Sequence, residues 1–68
     1  MGEPRLVPWV KVRTAIAAAC RAANESPDHH RALVHDVRDE PPADWWWFLD
    51  YFEARVAALE SIKFRAAA

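Results

Sequence analysis

Three histidines lie close together in the middle of the chain: His29, His30 and His35, with Asp36 beside the last. They form the one cluster whose residue types fit a metal centre or acid/base chemistry. A zinc site on a helix draws its ligands from one face, commonly at i and i+4. His30 and His35 are five apart, about 140° around a helix. His29 and Asp36 share a face, but two ligands do not close a site. The spacing therefore predicts solvated His29 and His35, a His30 at the edge of a core, and no metal. A pH-sensitive contact through His30 is the chemistry this cluster retains, since imidazole titrates near neutral pH.

A carboxylate row stands later in the chain, at Asp50, Glu53 and Glu60. A solvated helix face accounts for it. No Ser/His/Asp arrangement, glycine-rich phosphate loop or cysteine pair accompanies it. Sixty-eight residues also leave little room for a walled pocket. The expectation is a protein with no catalytic residue, no cofactor and no metal.

The remaining chemistry-bearing residues are basic: Arg5, Lys11, Arg13 and Arg21. Against Glu3 and Glu25 they give residues 1–25 a charge of +2, whereas residues 26–44 carry −3 and the whole chain −1. These four are the candidate contacts for nucleic-acid phosphates. Arg13 and Arg21 sit about 80° apart on a helix, so the patch is loose. With a net charge near zero, nucleic acid is a disfavoured partner. A small DNA-associated transcriptional regulator using a basic first helix is the alternative reading. A helix-turn-helix reader would need a tight turn and a basic recognition helix. The sole glycine is Gly2, and the third helix is aromatic and acidic.

What must position these groups is an aromatic stretch, Asp44-Trp-Trp-Trp-Phe-Leu-Asp-Tyr-Phe52. It opens a helix expected over 42–64. Proline is well placed in a first helical turn, and Asp44 meets the positive end of the helix dipole. No Gly or Pro interrupts the helix beyond that turn. Trp45, Phe48, Leu49, Phe52, Val56, Leu59 and Ile62 project onto one arc. Trp47, Tyr51, Ala54 and Ala58 form a second arc beside it, and Trp46 falls among the polar positions. Together the apolar arcs span about 200°, twice the stripe a surface helix needs.

Two shorter helices are expected before it. Pro8 suits the start of a helix over 8–24, with Trp9, Val12, Ile16, Ala19, Cys20 and Ala23 on one face. Its alanines make it thin, so that a neighbour can approach closely. Ser26 is an N-cap candidate and Pro27 a first-turn residue for a helix over 27–38. There His30, Leu33, Val34 and Val37 fall at i, i+3, i+4, i+7. Residues 1–7 read as an extended arm and 65–68 as a frayed end. The fold expected is all-α: a single domain over 1–68, a small three-helix bundle with a long C-terminal aromatic helix, dimeric.

One cysteine excludes an internal disulfide, and its place on the first helix's apolar face predicts a buried, inert thiol. No run approaches a membrane span, no secretory leader is legible, and a cytoplasmic location with no membrane contact is expected. The Ala- and Arg-rich composition associates the chain with small accessory proteins of bacteria or phages. Surplus apolar surface marks an interaction site. The function expected is a non-enzymatic protein–protein interaction or oligomerisation module, accessory or regulatory. Its interface residues are Trp46, Trp47, Tyr51, Ala54 and Ala58, and its partner is itself as a homodimer, another protein, or both. In an antiparallel pair the large half of one helix covers the small half of its mate. Burying one Trp and one Tyr per subunit gives roughly 15 kcal/mol gross. The rival is an arm that folds back, Leu6 and Val7 covering the stripe within one chain.

Overall fold

The structure is a computed structural model and describes residues 5–67, with side chains through residue 65. Of the expected arm and frayed end, residues 1–4 and 68 lie outside the described residues. The chain is all-helical, and no strand occurs among the described residues. Helix α1 spans Trp9–Ala22, α2 spans Pro27–Arg38, and α3 spans Trp45–Ala67. A single 3-10 turn, Pro42–Asp44, leads into α3. No described helix is long and apolar enough to cross a membrane.

Helix ends obey local chemistry. Pro8 is the N-cap of α1 with extended backbone, so the helix begins one residue later than expected. At the other end Asn24 adopts φ 57°. The amide of Glu25 donates to the Cys20 carbonyl at 2.8 Å, and that of Asn24 to the Arg21 carbonyl at 3.1 Å. This is a Schellman closure with asparagine in the left-handed position usually held by glycine. It ends α1 at Ala22, short of the expected 24. Ser26 caps α2: its hydroxyl accepts from the amide of His29 at 3.1 Å, and Pro27 stands in the first turn. The two prolines at 41 and 42 make a 3-10 turn instead of the first turn of α3, and the Trp45 indole donates to the Glu40 carbonyl at 3.2 Å across it. Past the expected end at residue 64, α3 continues through Ala67.

The core is built on α1. Val12 and Ile16 are fully enclosed, and Ala15, Ala19 and Cys20 continue their stripe. α3 contributes Leu49 and Phe52, and α2 contributes Val37. Val7, Trp9, Leu33, Val34, Trp45, Phe48 and Val56 pack around these. Trp9 and Trp45, at the starts of α1 and α3, meet at 5.0 Å between ring centroids with a 52° tilt. Near the other end of α1, Ala19, Cys20 and Ala23 share a groove with Phe52 and Arg55. α1 and α3 therefore run the same way, and α2 runs back antiparallel to α1, its last residue Arg38 over Trp9.

The three helices do not cover one another fully. At 1.5 Å per residue α3 extends about 35 Å and α1 about 21 Å. Everything in α3 from Glu60 to Arg65 is exposed, including Ile62 at 61%. Ile62, expected on the core arc, lies past the end of α1 and has nothing to pack against there. The Cα extents are 42 × 32 × 13 Å. The radius of gyration, 13.3 Å, exceeds the roughly 11 Å usual for this length, which reflects that overhang.

Candidate functional site: the exposed face of α3

The five expected interface residues, Trp46, Trp47, Tyr51, Ala54 and Ala58, are all exposed. Trp47 and Tyr51 retain about half of their surface, 52% and 46%. Their rings stack on each other, centroids 5.5 Å apart and planes 5° off parallel. Each also meets a neighbour edge-on: Trp47 against Phe48 at 5.0 Å and Tyr51 against Phe52 at 5.2 Å. Such geometries are the favoured ones for aromatic pairs. The stacked pair is thus held in place by rings that belong to the core. Rigid aromatic side chains lose little conformational freedom on binding.

One border of this face is α2. Leu33, Asp36, Val37 and Glu40 share a groove with Trp47, Phe48, Tyr51 and Phe52. The other flank of this face carries Asp50, three residues on from Trp47 and so a neighbour on the helix surface. Among the described residues the N-terminal segment leaves Trp47 and Tyr51 half exposed. Arg5 pairs with Asp50 at 2.7 Å, Val7 packs on the core, and Leu6 is 75% exposed. Hydrogen bonding to Asp50, then its charge, raises the Arg5 pKa above its ordinary value. Trp46 stands at the start of α3 beside Glu40 and Asp44, apart from the Trp47–Tyr51 stack but sharing the hollow that Trp47 lines.

The basic residues do not converge. Arg5 and Lys11 line a groove between α1 and α3 together with Glu53. Arg13 faces the opposite groove, between α1 and α2. Arg21 is exposed in the last turn of α1. The histidines likewise separate. His29 lies 4.0 Å from Glu25, whereas His35 lies 3.9 Å from Asp36 and 3.7 Å from Asp39, all in exposed settings. Among the described residues no three His, Cys, Asp or Glu side chains come together as a metal site would require. His30 is half-buried, and its Nε2 is enclosed without a hydrogen-bond partner. Helical projection places His30 at the core edge but gives no sign of that orphaned nitrogen, which depends on how α1 and α2 pack.

Cys20 is buried against the core, and desolvation, with a smaller contribution from Glu25, pushes its thiol pKa up. Compared with known proteins, the chain matches no family model, no curated sequence and no solved structure.

Proposed function

We propose that this chain is a non-enzymatic protein-interaction module that self-associates through the Trp47–Tyr51–Ala54–Ala58 face of α3, and serves as an accessory or regulatory factor in the cytoplasm. The observation that carries the reading is the exposed, prestacked Trp47–Tyr51 pair, with two alanines further along the same seam. The spacing 47, 51, 54, 58 alternates four and three, as in a coiled-coil seam. In an antiparallel pair centred between Phe52 and Glu53, Trp47 comes opposite the partner subunit's Ala58, and Tyr51 opposite the partner subunit's Ala54. Both large-to-small matches arise from one two-fold axis, which is what an isologous interface requires.

Charge supports the same register. Lys63 and Arg65 stand at the far end of α3, while Asp36, Glu40 and Asp44 surround its start. Antiparallel pairing brings those ends together. Because Trp47 and Tyr51 are already half-covered, the aromatic contribution falls to about half of the sequence-based figure, roughly 7 kcal/mol gross. Association costs an estimated 4–15 kcal/mol or more. The dimer therefore depends on the alanine contacts and the charged ends as well, and micromolar affinity is the expectation.

Light scattering coupled to size exclusion tests the reading. At tens of micromolar the mass should be that of a dimer, and Trp47→Ser should return it to a monomer with its helical circular dichroism retained. A monomeric wild-type chain at that concentration rejects self-association.

A further inference from the structure

A second groove, on the other side of the molecule, has a different character. It runs between the first turns of α1 and the length of α2, and Trp9, Arg13, His30, Val34 and Arg38 line it. Trp9 and Val34 are half-buried members of the core's outer layer, so they give the groove an apolar floor. The Arg38 guanidinium carbon lies 5.0 Å from the centroid of the Trp9 ring. That contact fixes a cation against an aromatic surface. Arg13 supplies a second cation from the opposite wall.

Arg31, His35 and Asp39 also line the groove. Asp28 pairs with Arg31, and Asp39 is the one carboxylate among these lining residues. Among the described residues neither Arg13 nor Arg38 has a carboxylate within ion-pair distance. His30 lines the groove as well, but its Nε2 is enclosed and out of a ligand's reach. Two guanidinium groups without a carboxylate partner and an apolar floor thus share one concavity on a chain whose net charge is negative.

We infer that this α1–α2 groove binds an acidic peptide segment, its carboxylates against Arg13 and Arg38 and an apolar side chain beside Val34. Guanidinium and carboxylate match in shape and charge, and Arg is favoured wherever a carboxylate must be held by a planar fork. A nucleic-acid backbone fits less well: its evenly repeated charge calls for a stripe of cations, and Arg5, Lys11 and Arg21 lie outside this groove. The site lies apart from the α3 stripe, so its occupancy does not depend on self-association.

Titrating the full-length chain with the peptide Glu-Phe-Glu-Leu-Glu, monitored by proton–nitrogen correlation spectra, tests the assignment. The Trp9 indole N–H and the amides around His30 and Arg38 should shift saturably, and the affinity should fall as salt is added. Arg13→Gln and Arg38→Gln, both surface changes that leave the core intact, should each weaken binding about fivefold to tenfold. Running the titration on Trp47→Ser should give the same shifts, separating this groove from the α3 face. The inference is overturned if no shift appears at millimolar peptide, if Gln-Phe-Gln-Leu-Gln binds equally well, or if both arginine variants bind like wild type. A short DNA duplex that displaces the peptide at lower concentration would also overturn it, in favour of nucleic acid.

Discussion

The two apolar faces of α3 both begin with large aromatic residues and meet different surroundings. Leu49 and Phe52 are buried, with Trp45, Phe48 and Val56 packed around them. One step around the helix, Trp47, Tyr51, Ala54 and Ala58 are exposed. The difference is made by α1. Its alanines let α3 approach closely enough to enclose the first face, and a thin helix cannot also reach around to the second. α2 borders the second face through Leu33 and Val37 but packs mainly on α1, to one side of the stripe. Hydrophobicity alone does not decide burial. The reach of the neighbouring helices does.

The sharpest way to test that comparison is to truncate one aromatic on each face. Phe52 is 5% exposed, and Phe→Ala in a core costs about 3–5 kcal/mol. A domain of this length has roughly 3–10 kcal/mol in total. Phe52→Ala should therefore remove about a third or more of the stability, seen as loss of far-ultraviolet helicity at a much lower denaturant concentration. Trp47→Ser, one face away, should change mass in solution and leave helicity nearly intact. If both variants unfold alike, the two faces are one core and the proposed interface does not exist.

A smaller effect is expected from the helix that forms the border. The Ser26 hydroxyl caps α2 through the amide of His29. Ser26→Ala should lower stability by about 1 kcal/mol. For a domain of this size that is a melting-point drop of about 4–8 °C. No change in denaturant midpoint would mean that α2 contributes little to enclosing the buried face, and that α1 and α3 are sufficient.

Much of this arrangement is legible in the sequence because it obeys local rules. Ser26-Pro27 announces a helix start. The 12, 16, 19, 20 spacing announces the buried face of α1. The excess width of the aromatic arc announces a face without a cover. What is not legible depends on relative length and on packing between helices. Ile62 projects onto the core arc by angle alone, yet α1 ends before it can reach that level. Asn24 ends α1 through a left-handed backbone that composition does not single out. Arg38 remains exposed, yet its guanidinium lies over the Trp9 ring at 5.0 Å, a contact between two helices that no spacing shows. The Arg13–Arg38 groove is invisible in the sequence for the same reason. Its residues come from two helices, and only their packing brings them together.

The smallest expected effect probes the buried face from within. Cys20 sits on the enclosed stripe of α1, and burial raises its thiol pKa above the ordinary range. The thiolate is the reactive form, so the folded chain should react with a thiol reagent far more slowly than the denatured chain at the same pH. Stability should also depend on alkaline pH, with a definite sign. Below the ordinary thiol pKa, about 8.5, both folded and unfolded chains hold the proton and Cys20 contributes no slope. Above it the unfolded chain releases the proton first, while the folded chain keeps it. The folded state then binds more protons, so stability falls as pH rises, until the folded thiol ionises too. Cys20→Ala, measured by denaturant unfolding across that window, should remove the slope. Rapid labelling of the native chain at neutral pH would show instead that α1 and α3 open readily, and that the face between them is not closed to solvent.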